Sequence, residues 1–249
     1  ISVKALLMRR FLALVHEIEA KTPEKTMLRV NEKLVLALPK GRILNEVMPV
    51  LRDVGIEPEA GFEDSDDRRL RFATNLPELD IIRIRSFDVA TFVAFGGAHL
   101  GVCGNDVLLE FDYPEIYAPV DLGLGRCRLV VAEPEDMIGS NDPATWSSLR
   151  VATKYPTLTQ AHFAGRGVQA ECIKLNGAME LAPQLGLCRR IVDLVSTGNT
   201  LKANGLVEIE QIAAITSRLA VNRAAWKTRP DEIGHWITKF RGAVDGDAA

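Results

Sequence analysis

Short apolar runs that alternate with helix-periodic stretches constrain this chain more than any other feature. The runs "KLVLALP" (33–39), "LDIIRIR" (79–85), "HLGVCG" (99–104), "IYAPVDL" (116–122) and "CRLVVA" (127–132) have the length and side chains of buried strands. So do "RVATK" (150–154), "AECIKL" (170–175), "RRIVDLV" (189–195) and "IAAITSRLAVN" (212–222). After the first run, "RILNEVMPVLRDVG" sets Ile43, Leu44, Val47, Leu51 and Val54 on one helical face. Pro49 is expected to kink that helix or remove one hydrogen bond, and Gly55 to end it. "SFDVATFVAFGG", "TLTQAHFAG", "GAMELAPQLG" and residues 231–242 carry further helical patterns. Strands that alternate with helices predict an α/β fold with largely parallel sheets, since a parallel pair needs a long crossover. Ligands in such folds bind beyond the carboxyl ends of the strands. The residues just after each run therefore carry the functional signal.

Composition narrows the class. The 249 residues are 47% apolar, ordinary for a globular protein, and the formal charge of −3 gives no global field for nucleic acid or membrane. No stretch approaches the ~18 apolar residues of a membrane span. Cysteines 103, 127, 172 and 188 form no C-x-x-C pair, which predicts small buried hydrophobes and no zinc site. A cytoplasmic protein is the expectation. "ISVKALLMRRFLALVHEIEA" has basic residues before "FLALV", but the apolar run is too short for a signal peptide and lacks a cleavage site. Residues 1–26 read as an N-terminal extension, helical or frayed, with Met27 an alternative start. "EDSDDRRLR" (63–71) reads as a solvated loop or hairpin edge, and "EPEDMIGSNDPAT" (133–145) as a surface loop and weak domain edge.

The strongest local motif is "IVDLVSTGNTLKANGL" (191–206). A strand delivers the chain to Ser196, Thr197, Gly198, Asn199 and Thr200, and a helical turn or two follows until Gly205. Helix-start N–H groups, a glycine and three hydroxyls make an anion cup suited to a phosphate monoester. The same residues also suit an ordinary capping turn. Asp193, just before, favours a sugar phosphate, with one group for the phosphate and another for ribose hydroxyls. "PKGR" (39–42) puts Lys40 and Arg42 at another strand end, where a solvated turn is the competing reading. Arg85 and Lys154 repeat that placement. Four cations at four strand ends suit a polyanion. The glycines of "FGGAHLGVCGND" (95–106) do not fit a dinucleotide fingerprint, and Asp106 is read as a cap of the next helix or a ligand contact.

Together, "PKGRILNEVMPVL", "RSFDVATFV", "GVCGNDVLLE", "RVATKYP", "GAMELAPQLGL" and "IVDLVSTGNTLKANGL" resemble, in order, the ATP phosphoribosyltransferase family of histidine biosynthesis, over residues 33–225. The resemblance implies two α/β domains around a cleft, like the type II periplasmic binding proteins. The boundaries expected are 27–127 plus 222–249 for domain I and 128–221 for domain II, with crossings near Cys127 and Asn222. It implies attack of adenine N1 of ATP on the anomeric carbon of phosphoribosyl pyrophosphate, with Mg²⁺ accompanying the pyrophosphate. Lys40, Arg42 and Arg85 would stabilise the leaving charge. Asp106, Lys154, Glu180, Asp193, Ser196, Thr197, Gly198, Asn199, Thr200 and Leu201 would bind substrate, Glu180 and Asp193 at the ribose hydroxyls or metal. No residue is assigned as a metal ligand outright or as a general base; His99 and His162 are unconvincing. One departure is His99, in a stretch where the family usually has aspartate. An end soon after "HWITKF" resembles the short form, which implies a separate regulatory subunit resembling histidyl-tRNA synthetase, a dimer alone and a hetero-octamer with that partner. The rival readings are a solute- or effector-binding module of the same fold and a purine-salvage phosphoribosyltransferase; the latter usually has two adjacent acids where Asp193 is followed by Leu194.

Overall fold

Strand β1 (Leu34–Pro39) is buried along its whole length, and its side chains serve two cores in alternation. Leu34, Leu36 and Leu38 pack on one face with helix α1 (Arg42–Asp53). Val35 and Ala37 pack on the other, beneath α2 (Ser86–Ala94). This two-sided burial is what a continuous apolar run requires of a central strand. The computed structural model describes residues 33–64, 66–139 and 148–246. The expected extension, residues 1–26, lies outside them.

The first sheet has the order β2-β3-β1-β4-β11-β5. It comprises β2 (Arg71–Ala73), β3 (Leu79–Ile84), β4 (Leu100–Gly104), β5 (Ile116–Asp121) and β11 (Ser217–Asn222) beside β1. Strands β3, β1 and β4 are parallel, so their carboxyl ends share one edge. The second sheet has the order β10-β6-β9-β7-β8, from β6 (Cys127–Pro134), β7 (Ser148–Thr153), β8 (Gln169–Lys174), β9 (Arg190–Val195) and β10 (Leu206–Ile215). Here β8, β7 and β9 are parallel, and α4 (Pro156–Ala164), which follows α3 (Asn105–Phe111) in the chain, covers one face. Two short helices, α5 (Leu181–Gln184) and α6 (Asn199–Ala203), cover the other. Helices α7 (Arg223–Thr228) and α8 (Pro230–Gly246) return to the first sheet, whose core takes Ile233, Trp236 and Phe240. The molecule is an α/β protein with two mixed sheets, the type II periplasmic-binding-protein arrangement.

The chain passes between the sheets twice, through residues 122–126 and through Thr216. The return comes earlier than the expected Asn222. The single run anticipated over 212–222 is two strands: β10 pairs with β6, whereas Ser217 to Val221 pair with β4. The polar triplet Thr216, Ser217 and Arg218 interrupts the apolar pattern at the join, a mark that reading 212–222 as one run passes over. The stretch 133–145 does not divide the sheets, because β6 before it and β7 after it share one. Pro49 sits on the exposed side of α1 and leaves it a single helix. The charged run 63–71 is less free than a solvated loop. Buried Arg83 donates to the carbonyl oxygens of Phe62, Asp64 and Asp67 and tethers its backbone to β3.

Asn222 joins three elements at the far end of β4. Its amide donates to the carbonyls of Val93 (2.7 Å) and Ala94 (3.2 Å), which end α2, and its oxygen accepts the Ala225 N–H (2.7 Å) that begins α7. Asn222→Ala leaves the Ala94 carbonyl and the Ala225 N–H unsatisfied in the interior, at ~1–3 kcal/mol each before relaxation, while the Val93 carbonyl keeps the Gly96 N–H (3.2 Å). We expect a loss of about 3 kcal/mol in denaturant-unfolding free energy. A loss below about 1 kcal/mol would show that water replaces the amide.

Candidate active site

The carboxyl edges of the two parallel strand sets face each other. On the first sheet, the Lys40 N–H donates to the Ile84 carbonyl (2.8 Å), so Lys40 and Arg85 stand side by side at the ends of β1 and β3. Both are exposed. Gly41 has φ +87°, a conformation that strains any other residue, and it turns the chain into α1. Arg42 then extends from the first helical position. Its Nη1 lies 3.4 Å from Ser196 Oγ on the second sheet, and its Nε lies 3.6 Å from Glu46 Oε1. Exposed pairs of this kind add little stability, so their effect is on orientation. Glu46 is fixed in turn by the Gly125 N–H (2.6 Å), within the first crossing segment.

On the second sheet, β9 ends at Val195 and the chain turns through Ser196, Thr197 and Gly198 into α6. Gly198 takes φ +80°, the left-handed conformation that glycine adopts without a Cβ penalty. The turn is held from below. Arg128 donates to the Ser196 carbonyl (3.2 Å) and is itself clamped by Glu208 at 2.6–2.9 Å. Leu201 is buried and packs with the Val195 and Leu206 core, so its side chain anchors the turn.

Two adjoining cavities occupy this edge and share Leu194. The first, of about 130 Å³, is lined by Arg42, Phe87, Asp106, Lys154 and Tyr155 among others. The second, of about 230 Å³, is lined by Glu180, Asp193, Ser196, Thr197, Gly198, Thr200 and Leu201. Of the residues singled out in the sequence, Lys40, Arg85 and Asn199 line neither cavity. Asn199 begins α6, its N–H directed at Thr197 Oγ1 (3.4 Å). Asp106 makes no side-chain cap; it is buried and accepts the Tyr155 hydroxyl at 2.7 Å. His99 lies at the amino end of β4, away from the cleft, where its Nδ1 accepts the Val35 N–H at 3.0 Å. His162 is engaged by Glu210 and Arg166.

Electrostatics in the cleft are strained. Burial raises the Asp106 pKa, and burial, with the charges of Glu180 and Asp106 adding, raises Asp193 to about 6. Burial lowers the Lys154 pKa against the attraction of those same aspartates. Its ammonium lies 3.9 Å from the Phe87 ring centroid. Tyr155, Phe87, Glu46 and Arg128 are site residues that the sequence reading missed. Of these, only Tyr155, directly after Lys154 at a strand end, stood where a local signal existed.

A family model described as ATP phosphoribosyltransferase (HisG) matches residues 85–242. The ATP phosphoribosyltransferase of Paramagnetospirillum magneticum is 70% identical over 87% of this chain and 99% of its own length. That of Rhodospirillum rubrum is 67% identical over 88% of this chain and 96% of its own. The chain belongs to the ATP phosphoribosyltransferase family. Among solved structures, a chain of the ATP phosphoribosyl transferase (HisG:HisZ) complex from Thermotoga maritima superimposes with a TM-score of 0.72 at 31% identity. The match covers 86% of this chain and 99% of that one. The enzyme is a pentosyltransferase of the first step of histidine biosynthesis: adenine N1 of ATP displaces pyrophosphate from phosphoribosyl pyrophosphate. A ligand-binding module without catalysis is the weaker account. Among the described residues, no helix is long and apolar enough to cross a membrane.

Asp193 yields a signed pH prediction. Its folded pKa, about 6, lies above the ordinary value of 3.8, so between those pH values the folded state holds a proton that the unfolded chain releases. Its contribution to stability is therefore present at low pH and lost as pH rises through about 6. We expect the melting temperature of Asp193→Asn to match the parent near pH 4 and exceed it at pH 7 in thermal unfolding without substrate. A lower melting temperature at pH 7 would mean that the carboxylate has a stabilising partner.

Proposed function

We propose that the second cavity receives the ribose and 5-phosphate of phosphoribosyl pyrophosphate, while ATP approaches through the first. The observation that carries this reading is the junction of the two, where Arg42 of one sheet meets Ser196 of the other. The Ser196, Thr197 and Thr200 hydroxyls, with the N–H groups around Gly198 and Asn199, serve as phosphate donors. Leu201 contributes through its backbone. Asp193 and Glu180 accept from the ribose hydroxyls. Lys154 offsets phosphate charge, and Asp106 borders the nucleotide.

Adenine N1 carries no proton at neutral pH, so it needs alignment more than deprotonation. The barrier lies in separating the pyrophosphate from a ribosyl carbon that becomes cationic. Lys40, Arg42 and Arg85 are proposed to stabilise that departing charge, an effect that counts most where water is excluded. Lys40 and Arg85 line neither cavity, so their part depends on a bound pyrophosphate extending past the strand ends. Among the described residues, no group of three or more His, Cys, Asp or Glu side chains is arranged to hold a metal ion. Glu180 and Asp193 are hard oxygen donors that suit Mg²⁺ when substrate oxygens complete its shell. Bound with the pyrophosphate, Mg²⁺ would supply neutralisation of its charge.

A separate regulatory subunit is proposed as partner, with a dimer of the catalytic chain alone and a hetero-octamer of four and four together. Support comes from the Thermotoga maritima complex, whose name pairs HisG with HisZ. A cytoplasmic location suits a biosynthetic enzyme of this kind.

Thr197→Ala should weaken phosphoribosyl pyrophosphate binding by ~1.5–3 kcal/mol, the scale of one hydrogen bond to a charged group. Titration calorimetry measures it, and unchanged affinity removes that hydroxyl from the cup. Pyrophosphate release from the two substrates should rise when the regulatory subunit is added; an unaltered rate would sink the proposed dependence.

A further inference from the structure

Helix α3 carries two carboxylates four residues apart on one face, Asp106 and Glu110, and both are buried. Both reach across the cleft to the segment that leaves β7. Asp106 takes the Tyr155 hydroxyl. The two oxygens of Glu110 accept the backbone N–H groups of Thr157 and Leu158, each at 3.0 Å. Those groups lie in the first turn of α4, where a helix has no internal acceptor for them. A carboxylate there satisfies two orphan donors and also meets the positive end of the helix dipole. Phe87 fills the remaining space, its ring centroid 5.5 Å from that of Tyr155 and 5.8 Å from that of Phe111.

The gripped segment begins one residue after Lys154. Its ammonium is thus located by three groups of the opposite half: the Phe87 ring beneath it, Asp106 through Tyr155, and Glu110 through the start of α4. We propose that Glu110 is a positioning residue for the transferase reaction, which grips the start of α4 from the other half and so fixes the cleft width and the place of Lys154. The second clause rests on the reading of Lys154 as a substrate cation; the grip does not.

Without the grip, a smaller fraction of molecules holds the binding-competent spacing. Affinity falls by that fraction, while chemistry in the assembled complex is unaltered. The positioning role therefore predicts a change in KM with little in kcat, whereas a purely structural role predicts loss of melting temperature alone. Two measurements on the full-length chain decide it. In amide hydrogen exchange, Thr157 and Leu158 should be protected in the parent. Protection should be reduced in Glu110→Gln and lost in Glu110→Ala, while the Thr159 N–H, which donates to the Tyr155 carbonyl, keeps its protection. In kinetics on the assembly that turns over, Glu110→Ala should raise KM for phosphoribosyl pyrophosphate by about tenfold, with kcat within about twofold. Should the alanine variant not fold, the glutamine variant carries both measurements with smaller effects.

Free exchange at Thr157 and Leu158 in the parent would overturn the grip. Lost protection with an unchanged KM would overturn the positioning role. Lys154→Met separates the two ideas. An unchanged KM in that variant overturns the substrate-cation reading and the clause built on it, leaving the exchange result to judge the grip. A raised KM there beside an unchanged one in the Glu110 variants overturns positioning alone.

Discussion

Two backbone hydrogen bonds between the crossing segments set the geometry of everything else. The Ser217 N–H donates to the Leu124 carbonyl (2.8 Å), and the Leu122 N–H donates to the Ser217 carbonyl (2.9 Å). The outgoing and returning chains are thereby joined side by side at the floor of the cleft. Because β5 and β10 both end there while β6 and β11 both begin there, the two sheets are forced to meet carboxyl edge to carboxyl edge. Turns that follow β1, β3, β4, β7 and β9 then have nowhere to project but toward one another. The site is a consequence of strand direction before it is a consequence of any single side chain.

Side chains then decide what such a gap will hold. Asp106 and Asp193 are both disfavoured as anions by burial, and Lys154 is disfavoured as a cation, so the cleft floor is electrostatically unsettled without ligand. Asp106 is buried and Asp193 and Lys154 are half-buried, so burial disfavours each charge alone, and the attraction between lysine and aspartates offsets part of that. The rim is different. Lys40, Arg42 and Arg85 are exposed there. Polyanionic substrates would meet the rim first and the strained floor afterwards, an order that favours capture before discrimination.

Those parts of the site that depend on consecutive residues were legible in the sequence. The turn 196–200 after a strand and the Lys40–Gly41–Arg42 turn before a helix each combine a local conformational demand with local chemistry, and both stand where the runs predicted. Relations across the fold were not legible. Glu110 reads as one more acid on a short helix, and only the docking of α4 gives it two backbone donors. Arg128 looks like an interruption of an apolar run until β6 and β9 come into register and bring it opposite Val195. The break at Thr216 did leave a mark, the polar run Thr216, Ser217 and Arg218, but the apolar residues beyond it on either side enter different sheets, which the pattern does not tell. Hydrophobic pattern reports burial, and burial alone does not say in which layer.

His99 shows the same distinction between local motif and place in the fold. The resemblance to the family leads one to expect aspartate there, and in sequence the residue lies close to the Gly104–Asp106 turn of the cleft. In the fold, β4 carries it to the opposite edge. There its backbone N–H donates to the Val35 carbonyl (2.9 Å) while its Nδ1 accepts the Val35 N–H, so the imidazole completes the ladder between β1 and β4. An aspartate oxygen would be able to accept that same N–H. What differs is the titrating group: burial first, and the nearby Arg229 second, lower the His99 pKa to about 4, so the ring is neutral at pH 7. Arg229 meanwhile has a carboxylate of its own, Glu232, at 2.8 Å from its Nε. A neutral ring here leaves Arg229 paired with Glu232 and the β1–β4 ladder intact, at the end of β4 remote from the turn that leads into α3 and Asp106.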